Sequence, residues 1–277
     1  MKILLAKSQI YILIFIILSG AIIGGVAWHN RQQQPKTDTT TIPTSPQPAP
    51  ENPSSKQTPT LKLPGAQPIN INANNYNNDD GLWKIVNKQS SFSNITYQPA
   101  DLQPVAVPTM PGRGGEEKSL RAVLMQDLIA MVDAAKKAGV SLRVGSGYRS
   151  YATQQALFAR YSQQYGEAAA SQFSSRAGHS EHQSGLAADF IGADGACWVD
   201  ECFERTAAGE WLAKHAHEYG FILRYPKGKE ATTGFQYEPW HFRYVGIELA
   251  TALHQSNLTL EEAQDYIKKV LNLGDKS

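Results

Sequence analysis

Three short stretches concentrate the side chains able to do chemistry. The first reads Gly178-His179-Ser180-Glu181-His182-Gln183-Ser184-Gly185-Leu186-Ala187-Ala188-Asp189. Hydrolytic zinc sites take three protein ligands from His, Asp and Glu and keep a fourth position for water. His182 and Asp189 are therefore candidate ligands. Seven residues apart, they have opposite parity, and a regular strand would send them to opposite faces. A bend at Gly185, which glycine permits, has to bring them together. The second stretch is Glu238-Pro239-Trp240-His241, where His241 could be the third ligand and Glu238 the general base. Pro239 biases Glu238 away from helical geometry, so this is not a helical metal motif, and the aromatic run after it reads as strand. The third, Ser146-Gly147-Tyr148-Arg149-Ser150, reads as a strand-to-helix turn that presents Arg149 at a cleft edge. His29, His215, His217 and His254 lack any such company and read as structural; His179 is assigned to the loop itself.

The elements that must hold these residues follow from hydrophobic spacing. From Glu116 to Ala138, Leu120, Val123, Leu124, Leu128, Met131, Val132 and Ala135 fall on one helical stripe that Gly139 ends. Val140 to Val144 reads as a strand, and Ser150 caps a helix running to about Tyr165. Leu186 to Ile191 reads as a buried strand, and Thr206 to Tyr219 as a helix closed by Gly220. Phe221 to Tyr225 and Trp240 to Val245 are further strands, and Thr259 with Glu262 forms a capping box for a last helix. This irregular alternation predicts a single α+β domain over residues 82–277.

The first 81 residues differ in kind. Ile10 to Trp28 carries no charge, and at about 1.5 Å per residue it is close to the thickness of a bilayer's hydrocarbon core. Lys2 and Lys7 precede it, as in the charged start of a signal sequence. We read residues 1–28 as an uncleaved anchor spanning the membrane once, with the rest of the chain outside the cytoplasm. A cleaved signal peptide ending at Ala27 is the alternative. Nine of the fifteen prolines lie between Pro35 and Pro68, among Thr, Ser and Gln, so residues 29–81 are expected to be a disordered linker. A net charge of +1 gives no field for holding nucleic acid. Outside the cytoplasm Cys197 and Cys202 are expected to pair, although two free thiols remain the competing reading for so short a loop.

Taken together, SGYRS, GHSEHQSGLAADF and EPWHFRYVG resemble the VanY-like D-alanyl-D-alanine carboxypeptidases, zinc peptidases that share their fold with the hedgehog amino-terminal domain. The likeness covers roughly residues 82–250 and departs from the family at Ala177, where proline is usual. It implies a central antiparallel sheet flanked by helices. It also implies Zn2+ held by His182, Asp189 and His241, Glu238 as general base, and Arg149 polarising the scissile carbonyl. Ser180 and Gln154 would line the substrate pocket and Trp240 would wall it, fixing the ring of His241. The expected partner is a peptidoglycan stem peptide and the expected form a monomer. The implied activity is release of the terminal D-alanine of a pentapeptide stem. An L,D-carboxypeptidase acting on the tetrapeptide and a wall-binding module without catalysis are the rivals. The intact set of His182, Asp189, Glu238 and His241 argues against the module, which would need no base.

Overall fold

Short strands alternate with short helices through the described residues, 58–112 and 114–273 of this computed structural model. The expected anchor at Ile10 to Trp28 and most of the proline-rich stretch lie outside them. A first hairpin pairs β1 (Thr60–Leu61) antiparallel with β2 (Ile69–Asn70), and the single helical turn α1 (Asn74–Asn77) follows. A second small ladder joins β3 (Leu102–Pro104) to β4 (Ser119–Arg121). Next come α2 (Met125–Lys137), β5 (Leu142–Ser146), α3 (Tyr151–Tyr165), α4 (Glu167–Phe173) and β6 (Ala187–Gly192). The remaining elements are α5 (Ala207–His215), β7 (Phe221–Leu223), α6 (Glu230–Thr233), β8 (His241–Tyr244), α7 (Ile247–Ser256) and α8 (Leu260–Val270). Four strands form one antiparallel sheet in the order β5-β6-β8-β7, so the fold is α+β with a central antiparallel sheet. Among the described residues no helix is long and apolar enough to cross a membrane.

Two strand registers place the chemistry. Asp189 on β6 lies directly opposite His241 on β8, and on its other side opposite Ser146 on β5, just past an irregularity between Val144 and Ser146. Every residue of β6 is buried, as expected of a strand paired on both edges and covered on both faces. One core fills the space between this sheet and the helices α2 and α5, with Leu128, Met131, Phe190, Leu212, Phe221 and Phe242 at its centre. Each such side chain contributes about 1.5–3 kcal/mol of burial free energy. Ser150, Thr206 and Thr259 cap α3, α5 and α8, the last through the expected capping box.

Two expectations are corrected here. The helix foreseen from Glu116 begins only at Met125; Gly115–Lys118 is a 3-10 turn and Ser119–Arg121 is β4. The backbone of this stretch is engaged by tertiary partners: Gly147 N donates to Glu117 O, Tyr148 N to Ser119 O, and Arg121 N to Gly185 O. Those bonds displace the helical ones, and Leu120 is buried from a strand. The linker, expected to run to residue 81, stops earlier. Leu61, Leu63, Ala66 and Ile71 are buried against Leu249, Leu253, Leu260 and Ile267 in a second core built on α7 and α8. Trp83 joins this core and donates its indole N–H to Val245 O at 2.8 Å. The expected pairing of Cys197 with Cys202 is present and closes the loop that carries Trp198 and Val199.

A chain starting at residue 58 should therefore melt cooperatively, whereas one starting at residue 72 should melt at a much lower temperature. Leu61→Ala should cost about 2–5 kcal/mol in a denaturant titration, and an unchanged midpoint would mean that the hairpin does not contribute to the second core.

Candidate metal centre

Gly185 makes the metal loop possible. Glu181–Ser184 is a single 3-10 turn that Gly185 ends in the left-handed region, at φ 65°. A side chain there would be strained by that backbone, and its Cβ would lie 2.9 Å from Arg121 Cγ and from Leu102 Cδ2. His182 thus projects from a turn and Asp189 from a strand, which removes the parity objection. Gly147 brings the second support: its carbonyl lies 2.7 Å from His182 Nδ1. A Cβ at Gly147 would fall 2.6 Å from Ser119 O. With Nδ1 donating to that carbonyl, the Nε2 lone pair of His182 faces Asp189 Oδ2 at 3.4 Å. His241 Nδ1 lies 3.1 Å from Asp189 Oδ1.

Ligand atoms from His182, Asp189 and His241 therefore all lie within 4.8 Å of one another, and all three residues are buried. Two imidazole nitrogens and one carboxylate oxygen form the donor set of a hydrolytic zinc site. The residues fit that ion, because their buried donor atoms are already held converged. Burial, helped by the nearby Arg149 charge, pushes the His182 imidazole below its usual value and so keeps it neutral, as a ligand must be. For Asp189 burial acts upward, but His182 and His241 outweigh it and hold the carboxylate ionised, well below its usual range.

Glu238 precedes the strand and is held by its backbone, with its N–H donating to Tyr225 O at 3.1 Å and its carbonyl accepting from His241 N at 3.1 Å. Its Oε2 stands 3.9 Å from His241 Nδ1. Burial pushes its carboxyl up to about 8; the Asp189 and Glu181 carboxylates add to the rise, while His241 and Lys88 oppose it. A carboxyl shifted toward neutrality can both take and return a proton. For His241 burial acts downward, yet contacts with Asp189 and Glu181 raise it to about 9, so a metal bound there would displace one of its ring protons.

Arg149 reaches the same cleft and is held by three side chains. Its Nη1 donates to Gln154 Oε1 at 2.9 Å, its Nη2 to Ser146 Oγ at 3.1 Å, and its Nε is 3.5 Å from Glu117 Oε1. Gln154 is 1% exposed rather than facing solvent, and its amide is fixed in turn by donating to Ser175 O at 2.6 Å. Ser180 and Trp240 also line this cleft, whose volume is about 310 Å³. The ring of Tyr225 packs against that of His241, 4.9 Å between centroids and tilted by 35°. The sequence reading assigned the placement of the His241 ring to Trp240 and did not foresee Tyr225. It also missed Glu181, Ser146 and the disulfide loop, whose Trp198 and Val199 form part of the wall. Ser146 and Glu181 lay inside the quoted motifs, and the signal for them was their adjacency to Arg149 and His182.

Comparison with known proteins gives this geometry a context. A family model described as VanY, D-alanyl-D-alanine carboxypeptidase, matches residues 117–247. YodJ of Bacillus subtilis (strain 168) is 39% identical over 193 residues, covering 70% of this chain and 70% of that protein. The solved structure of the LdcB LD-carboxypeptidase is 38% identical and matches with a TM-score of 0.64 over 70% of this chain and 88% of its own. A vancomycin-resistance D,D-pentapeptidase VanY from a VanB-type cassette, solved in complex with Zn(II), is 30% identical. It matches with a TM-score of 0.51 over 67% of this chain and 98% of its own.

Metal analysis should find one zinc per chain. Replacing His182, Asp189 or His241 by Ala should leave it substoichiometric, whereas Gln154→Ala should keep the ion and lose only the brace on Arg149. Full zinc occupancy in Asp189→Ala would remove that residue from the donor set.

Proposed function

This chain belongs to the VanY D-alanyl-D-alanine carboxypeptidase family and is a zinc carboxypeptidase, and from that premise we propose that it removes the C-terminal D-alanine from peptidoglycan stem peptides. The observation that carries the reading is the convergence of His182, Asp189 and His241 beside a buried Glu238 and a braced Arg149 in one cleft. His182, Asp189 and His241 would hold the zinc, which would acidify a bound water and polarise a carbonyl. Glu238 is placed to take a proton from an attacking water and to pass it to the departing amine of D-alanine. The guanidinium of Arg149, fixed by Gln154, Ser146 and Glu117, is a preorganised donor for the charge that develops on the carbonyl oxygen. Ser180, Gln154 and Trp240, with the Trp198 loop opposite, form the walls against which the end of the stem would lie.

Two substrates fit this chemistry and differ at the residue before the scissile bond. The family match and the likeness to the D,D-pentapeptidase support a D,D-carboxypeptidase that acts on the pentapeptide. The L,D reading, with the tetrapeptide as substrate, is favoured by the fuller match to LdcB, at a TM-score of 0.64 against 0.51 for the D,D-pentapeptidase. In either case residues 1–28 would tether the enzyme on the outer side of the membrane, where linking an enzyme to a surface near its polymer raises its effective concentration.

Release of D-alanine from synthetic penta- and tetrapeptide stems, with and without chelator, tests the reading directly. Chelator-sensitive release from the pentapeptide alone would fix D,D specificity, and release from the tetrapeptide alone L,D specificity. Absence of both would overturn the proposal. Glu238→Ala should retain zinc and lower kcat by at least about 10²-fold, the contribution typical of a general base. Arg149→Ala should lose less, since the metal still polarises the carbonyl. Near-normal kcat in Glu238→Ala would require another base.

A further inference from the structure

Behind the metal centre lies a cluster of four charged side chains that the reaction does not use, three of them fully buried and the fourth, Glu261, partly exposed. Glu181 has no exposed side-chain surface, and neither do Arg224 and Arg243. Glu181 Oε1 accepts from Arg224 Nε and from Arg243 Nη1, both at 2.8 Å. Arg224 spends its other nitrogens on Glu261 of α8, at 2.8 and 2.5 Å. Arg243 spends its remaining donors on the carbonyls of Leu82, Lys84 and Tyr244. Two cations and two carboxylates balance, so the cluster is neutral, and both oxygens of Glu181 are held in place by the pair of arginines on one of them.

The other oxygen, Oε2, is buried and has no hydrogen-bond partner within normal reach among the described residues, and the same holds for His241 Nε2. These two atoms face each other at 3.6 Å. That is long for a hydrogen bond, but leaving both buried and unpaired would cost more than a small closure of the gap. We propose that Glu181 is the positioning residue of His241. Its Oε2 accepts the Nε2 proton, which selects the tautomer whose Nδ1 lone pair is left free beside Asp189 Oδ1, where it would bind a zinc ion. Gly147 O selects the opposite tautomer at His182, so the two histidines present different ring nitrogens to one ion. The adjacent residues Glu181 and His182 then serve both: one supplies a ligand directly, the other aims the ligand contributed by the distant strand β8. A hydrogen-bonded carboxylate behind a ligating imidazole fixes its orientation and raises its basicity.

The inference rests on zinc occupying the three-ligand site and not on which stem peptide is cleaved. It is tested on the zinc-loaded protein by long-range proton–nitrogen NMR of its histidine rings, together with competitive zinc titrations of two variants. The expected spectrum has His241 protonated at Nε2, with a slowly exchanging proton, and metal-bound through Nδ1. Glu181→Gln should weaken zinc binding by about 10–100-fold, the range seen when such outer partners are removed. Glu261→Gln disturbs the charge balance at Arg224 but leaves the His241 contact in place, and should bind zinc like the wild type. A proton on His241 Nδ1, or equal loss of zinc affinity in both variants, would reduce Glu181 to a counter-ion for the arginines and overturn the proposal. If Glu181→Gln does not fold, the tautomer in the unaltered protein decides the matter alone. Failure of peptide hydrolysis with tautomer and zinc affinity as expected would count against the substrate reading and leave this one standing.

Discussion

The pairing of Asp189 with His241 across β6 and β8 is the constraint on which the rest of the structure depends. Side chains alternate along a strand, so a slip of one residue would turn Asp189 into the core and bring Ala188 or Phe190 to the site. The register is held from both faces: Phe190 and Phe242 are committed to the apolar core, while β5 pairs along the other edge of β6. The burial that stabilises the sheet is thus the same burial that aims the metal ligands, and a mutation that loosened one would loosen the other. Glu238 and Arg149 need less from the sheet. The first is placed by backbone hydrogen bonds to Tyr225 and from His241, and the second by a ring of polar side chains around its guanidinium.

Concentrating charge in this region has an energetic consequence. Taking carboxylates and guanidinium groups out of water is unfavourable, and partners inside the protein offset it only when geometry is good and every donor is used. Glu181, Arg224, Arg243 and Glu261 meet that condition closely enough to be tolerated, yet an apolar replacement of the whole set could match or exceed its stability. Its retention is better explained by what it fixes than by what it contributes to folding free energy. A charged cluster has few alternative packings, whereas aliphatic side chains of similar volume have many.

Legibility of the site in the sequence followed from chemistry. A hydrolytic zinc centre needs His and Asp ligands and a carboxylate base, and these occurred within two compact segments, with Gly185 supplying the turn that parity demanded. Helix ends were legible for the same local reason, since Ser150, Thr206 and Thr259 cap through bonds to residues three positions away. What stayed hidden depended on distant partners. Leu120 satisfies a helical stripe on paper, but its neighbours' carbonyls are claimed by Gly147 and Tyr148. Leu61 and Leu63 sit in a Pro- and Thr-rich context that reads as linker, because nothing near them reveals the faces of α7 and α8. The glutamate at 181 looks like any polar residue between a serine and a histidine until arginines 43 and 62 positions away are brought against it.

The second core joins the beginning of the folded domain to its end, and this orders the events of its synthesis. The backbone N–H of Gln67 donates to the side chain of Gln255, 188 positions away. Leu61 and Leu63 can find their places only when α7 and α8 exist. A chain that emerges from its amino terminus, whether from a ribosome or through a membrane pore, therefore carries an exposed apolar segment for almost the whole of its passage. Contacts of such long separation are slow to form and leave intermediates open to wrong association. Pro59, Pro64 and Pro68 lack the N–H that a pairing strand donates, which disfavours strand addition by neighbouring chains. Glu261, which completes the arginine cluster behind the metal ligands, also arrives among the last residues. Catalytic competence is accordingly a late event, reached only once α8 has joined the fold.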